Sequence, residues 1–234
     1  MIDGSRRGPG RPRGRTRQGE ITKGRLYTTA TAMFARRGYE SATLREIAAE
    51  AGVSPSLLYK YFPGKSAVVM ELYDRLSLDF VREADRMTPG RWWERSLFAL
   101  ETSLGALSEH RSTLTSIVGQ LVGDPEQGLF SDATAFSRER VQGVFLRACA
   151  GSKEGLPSAD AHALATVVYV AHLAVLLWWL LDRSPDQRAT DGLVKLLRKL
   201  GPAAGWALRV PGARATIRAL SGFIHSGLFG RAPD

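Results

Sequence analysis

The sequence predicts an all-α protein, and three of its features carry that expectation. Apolar residues recur at helical spacing in nearly every segment from Ile21 onward, as expected for chains that bury one helical face. The breaks between those segments are Gly and Pro positions of the kinds that start and stop helices. No stretch alternates apolar and polar residues over the length of a strand, and there is no internal repeat.

Residues 1–19 are Gly, Pro and Arg with almost nothing apolar, which reads as a disordered basic arm because such a segment has nothing to bury. From Ile21 a helix is expected, with Leu26, Ala30, Met33 and Phe34 on one face and Gly38 as its left-handed stop. Thr43 followed by Glu46 is a capping-box signature. It opens a short second helix with Leu44, Ile47, Ala48 and Ala51 inward and Gly52 at its end. Ser54 caps a third helix with Pro55 at the tolerated first position, and Leu57, Leu58, Tyr61 and Phe62 supply its apolar side. Pro63–Gly64 breaks it. Lys65 begins a longer helix through Val68, Val69, Leu72, Tyr73, Leu76 and Phe80, and Pro89–Gly90 closes that one. Further helices are expected at roughly 91–109, 111–122, 126–150, 158–182 and 187–200, with a break at Gly201–Pro202. Residues 201–234 form a C-terminal extension in which Ile217, Leu220, Ile224 and Leu228 suggest one more helix.

The chain of 234 residues is 44% apolar and 24% charged, a globular composition. Its single cysteine, Cys149, rules out an intramolecular disulfide and points to a reducing, cytoplasmic setting. The net charge of +9 is unevenly placed. Residues 1–25 hold eight basic side chains against Asp3 and Glu20, a net of +6, which leaves +3 for the other 209 residues. A concentrated polycation ahead of a nearly neutral body points to a polyanionic partner, nucleic acid or an anionic membrane. No apolar run follows Met1, so no secretory signal is expected. From Ala161 to Leu181 there are 21 residues without Asp, Glu, Lys or Arg, long enough to span a bilayer. A helix buried on two sides looks the same, and that soluble reading, with no membrane partner, is preferred.

Two short helices joined through Gly52, with small Ala48 where they touch and Leu58 plugging the space between them, form a helix-turn-helix pattern. The stretches Ala32–Tyr39, Ala42–Ser54 and Leu58–Lys65 closely resemble the DNA-binding region of the tetracycline-repressor (TetR) family over residues 26–72. The resemblance implies an all-helical homodimer. Residues 20–66 would be a three-helix DNA-binding domain, and residues 67–200 a larger effector-binding and dimerisation domain. The charge-free helix near 160–182 and the apolar helix after it fit the dimerisation region by pattern. The implied function is a repressor bound to a palindromic operator in double-stranded DNA and released by a small-molecule effector. Two departures stand out: Gly64 replaces the usual polar cap before Lys65, and Val68 replaces the usual leucine.

A helix in the major groove presents base-facing side chains near its N-terminus, which here are Pro55, Ser56, Tyr59 and Lys60. Lys60 suits guanine O6 or N7, and Ser56 suits several base edges. By resemblance, Arg45 matches a base-reaching position, and Thr43, Tyr61 and Lys65 match phosphate-contacting ones. In the arm, Arg7 to Arg15 resembles an AT-hook, with Arg11 and Arg13 about the narrow Gly-Arg-Pro core. Trp92, Trp93, His110, His172 and Trp178 are the candidate effector contacts, with ordinary core filling as the competing role for each. Neither a phosphate-binding loop nor a nucleophile elbow is present, and the four histidines have no metal-ligand spacing. No enzyme, cofactor or metal is therefore expected. The rival reading is an architectural DNA binder that relies on its basic arm and senses nothing.

Overall fold

The computed structural model describes residues 17–126 and 128–230. Among the described residues ten α-helices follow one another: α1 (Arg17–Arg37), α2 (Leu44–Glu50), α3 (Pro55–Tyr61), α4 (Lys65–Ala84), α5 (Trp92–Leu107), α6 (Arg111–Gly123), α7 (Ala135–Ala150), α8 (Ser158–Leu181), α9 (Arg188–Ala207) and α10 (Ala213–Leu228). No strand occurs among the described residues.

The N-terminal helices end where local chemistry ends them. Gly38 and Gly52 both adopt positive φ, +83° and +64°, a conformation that costs other residues energy. Gly64 caps α4 without a side-chain hydrogen bond, so that helix begins without the usual satisfied donor.

Three boundaries depart from the sequence reading. Helix α1 begins at Arg17, inside the segment expected to be arm. Helix α7 begins at Ala135 rather than 126. The chain before it makes local bonds instead: the Thr134 hydroxyl lies 2.9 Å from the Gly128 carbonyl and 3.1 Å from that of Ser131. A Cβ on Gly128 would stand 2.2 Å from the Asp124 carbonyl oxygen. Side-chain bonds of this kind compete with helix formation. Helix α9 runs through Gly201–Pro202 to Ala207. Proline removes one ladder bond there, but the Trp93 ring seats against Gly201 and Gly205, and this packing overrides the local break.

Two buried cores result. One joins α1–α3 and the first half of α4 to Leu114, Ile117 and Leu121 of α6 and to Trp179 and Leu180 of α8. The other lies among α5, α7, α8 and the end of α4, around Phe80, Phe145, Leu164 and Tyr169. Helix α10 lies along α8, held where buried Asp160 pairs with Arg218 at 2.5 Å and Arg214 at 3.6 Å. Arg111, at the start of α6, closes the end of α8 by donating to the carbonyls of Trp179, Leu180 and Asp182. Helix α6 thus ties the N-terminal helices to the long helix α8.

Candidate DNA-binding face and ligand cavity

The capping box of α2 is complete. The Thr43 hydroxyl accepts from the Glu46 amide, and the Glu46 carboxylate accepts from the Thr43 amide at 3.0 Å. The Thr43 hydroxyl and then Arg37 hold the Glu46 carboxyl below its ordinary pKa. Ser54 caps α3 by accepting from the Leu57 amide at 3.3 Å. Leu58, at 1% exposure, plugs the space between α2 and α3. With Leu58 and Phe62 turned inward, helical geometry leaves Pro55, Ser56, Tyr59 and Lys60 on the outer face, and all four are exposed.

Arg45 and Lys60 form no ion pair among the described residues, although Arg36 pairs with Glu50 and Arg37 with Glu46 beside them. The acidic groups of α2 are thus neutralised by α1, and the cations nearest α3 stay free. Tyr61 is half-buried against the N-terminal core. Lys65 is half-buried too, and its ammonium donates to the carbonyls of Tyr39 at 2.7 Å and Glu40 at 3.1 Å, above the Tyr39 ring. It ties α4 to the loop after α1, so most of its donors are engaged within the protein. Arg11 and Arg13 of the arm lie outside the described residues.

Helices α4 and α6 to α8 line a half-open cavity of about 340 Å³. Its walls come from α4 (Leu76, Phe80), α6 (Leu114, Val118, Leu121), α7 (Arg138, Val141) and α8 (Tyr169, Leu173). A second cavity of about 250 Å³ lies among α5, α8 and α9. Trp92 and Trp93 line the second cavity, and His172 lines both. His172 Nε2 lies 2.9 Å from the Ser103 hydroxyl, and burial pushes its pKa down to about 3, so the ring is neutral. His110 lines neither cavity. Trp178 also lines neither and is exposed, whereas Trp179, one helical step on, is buried against the larger cavity. Sequence reasoning missed Phe80, Arg138 and Tyr169. An arginine on a mixed polar helix carries no local mark of burial.

Leu114 and Leu121 of α6 touch the larger cavity and also belong to the N-terminal core. No cluster of potential metal ligands exists among the described residues.

An exposed third helix on a three-helix N-terminal unit is joined through shared packing to a helical body with a cavity, an arrangement with the geometry of a helix-turn-helix. Residues 26–72 match the family described as bacterial regulatory proteins, tetR family. The transcriptional activator FasR of Mycolicibacterium smegmatis is 39% identical over 92 residues, which are 36% of this chain and 42% of that protein. The chain therefore spans less than half the length of that relative. The transcriptional repressor KstR of Mycobacterium tuberculosis is 27% identical over 173 residues, 71% of this chain and 73% of that protein. Among solved structures, a TetR transcriptional regulator from Nitrosomonas europaea superposes with a TM-score of 0.60 over 80% of this chain and 99% of that one. At 19% identity that likeness is one of fold.

Proposed function

We propose that the chain is a cytoplasmic homodimeric transcription regulator that binds a two-fold symmetric operator and is released when a small molecule fills the larger cavity. The observation that carries this reading is the double role of α6 and α4. Leu114 and Leu121 pack on the N-terminal core and line the cavity at once, and the N-terminal half of α4 belongs to that core while Leu76 and Phe80 line the cavity. Packed cores shift between discrete arrangements rather than deforming continuously. A ligand that displaces α6 therefore tilts α1–α3 and changes the separation of the two recognition helices in a dimer. Coupling of this kind is typically ~1–3 kcal/mol.

Dimerisation is supported by where apolar surface remains. Among the described residues, ten of the thirteen exposed large apolar side chains lie at or beyond Leu177. Leu177, Trp178 and Leu181 of α8 and Leu196 and Leu200 of α9 form the strip that a second copy would cover. Helix α8 is long and apolar enough to cross a membrane, but its buried face packs on the rest of the chain, and the second copy takes the remainder. On DNA, Ser56, Tyr59, Lys60 and Arg45 read bases. Tyr61 contacts phosphate, and Arg11 and Arg13 add sequence-independent affinity or minor-groove contacts. No catalytic role is assigned. Light scattering should give about twice the 25.5 kDa chain mass, and mobility-shift titration of a cognate operator should weaken when the effector is added. A monomer at micromolar concentration, or an operator affinity that no cavity-bound ligand changes, would overturn the reading.

A further inference from the structure

The larger cavity has one charged side chain in its wall, Arg138, and no described residue neutralises it. The residue is 6% exposed. Its Nη1 donates to the carbonyls of Ser131 at 2.8 Å and Leu129 at 3.2 Å. One face of the guanidinium lies 5.6 Å from the centre of the Phe229 ring. No carboxylate pairs with it among the described residues, and neither Nε nor Nη2 donates to a protein acceptor there. A guanidinium stays protonated, and burying it unpaired is costly. Every other lining residue is apolar, aromatic, a serine or the neutral His172.

Tyr169 stands close enough to Arg138 to feel its charge, and the Tyr169 ring links the Phe229 side of the cavity to His172, at centroid distances of 6.5 Å and 6.2 Å. The cavity is therefore polarised, with a cation that no described carboxylate pairs at one end and an uncharged, largely aromatic and aliphatic wall running away from it.

We propose that the ligand of this cavity is an amphipathic monocarboxylate, one carboxylate on an extended apolar body. The two oxygens accept from Nε and Nη2 of Arg138 in the paired geometry that suits a guanidinium. The apolar body lies along Phe80, Leu114, Val118 and Leu173 towards His172, where no second charge is accepted. The inference rests on the reading of this cavity as the effector site.

Dodecanoate and the uncharged dodecanol are suitable probes, titrated calorimetrically into the full-length protein. Dodecanoate should bind at least tenfold more tightly than dodecanol, although the alcohol is the more apolar molecule. In Arg138→Met that ratio should fall to about one, with dodecanol binding retained to show that the cavity stands. If that variant does not fold, the wild-type ratio decides. Equal or tighter binding of dodecanol to the wild type overturns the anchor and leaves the effector reading in place. A carboxylate preference with no change in operator affinity upholds the anchor and overturns the effector reading. Binding of neither probe overturns both.

Discussion

Gly201→Ala should destabilise the protein, whereas Gly143→Ala should stabilise it, and the difference tests how α9 packs. Both glycines are inside helices. Alanine in a helix interior is favoured over glycine by roughly 0.5–1 kcal/mol. At Gly143 nothing stands within 4 Å of the added Cβ, so that gain should appear undiminished. At Gly201 the Cβ would stand 2.1 Å from Trp93 Cε3 and 2.6 Å from Cδ2. The ring, carried on α5, must move to admit it, and overpacking of this kind costs about 1–3 kcal/mol. After the helix gain is subtracted, a net loss of about 0–2.5 kcal/mol remains, and the middle of that range, about 1–2 kcal/mol, is expected. For a chain of this size each kcal/mol moves Tm by about 2–4 °C. Differential scanning calorimetry should show Gly201→Ala lowered by about 2–8 °C and Gly143→Ala raised by about 1–4 °C. In a Trp93→Leu background the Gly201→Ala penalty should disappear, because residues in contact are energetically coupled. Equal and upward shifts for the two glycine variants would show that Trp93 does not seat on Gly201.

Lys65→Ala should lower stability by about 1–3 kcal/mol through loss of its charge-assisted bonds to the Tyr39 and Glu40 carbonyls. Urea denaturation reads that loss, and any fall in DNA affinity should be the same on all sequences. The Cys149 thiol is fully buried, and burial pushes its pKa up to about 12, so thiol-disulfide reagents at pH 8 should label it only on unfolding. The His172 pKa is pushed by burial from 6.5 to about 3. Between those values the unfolded chain binds the proton and the folded one does not, so stability falls as pH drops from about 6.5, by up to ~1.4 kcal/mol per unit. His172→Gln should flatten that slope in denaturation series between pH 4 and 7.

The parts of the fold that rest on local chemistry were legible in the sequence. Gly38 and Gly52 are needed where φ is positive, and the Thr43–Glu46 box and the Ser54–Pro55 start satisfy helix ends within a few residues of themselves. What depended on distant partners was not legible. Pro202 carries a local signal for a break, yet the helix continues where Trp93, more than a hundred residues earlier, packs against Gly201 and Gly205. Trp178 and Trp179 are indistinguishable in composition, and only the rotation of α8 in the assembled fold points one outward and the other to the cavity. Lys65 reads as a cation beside a helix start, fit for phosphate, and nothing near it in the sequence foretells the two carbonyls that the loop after α1 supplies. Arg138 reads as one of several charges on α7, a helix whose burial is fixed by its packing against α4, α5 and α8.

Selection of duplexes from a random pool by the wild type and by Lys60→Ala tests the central claim most directly, that α3 of a symmetric dimer reads bases through its exposed face. The wild type should enrich a two-fold symmetric site with paired half-sites. Lys60→Ala should enrich the same symmetry and spacing with one or two base positions relaxed in each half-site, since a good base contact is worth about 1–3 kcal/mol of discrimination. Enriched sequences without two-fold symmetry, or an identical base profile for the two proteins, would contradict it.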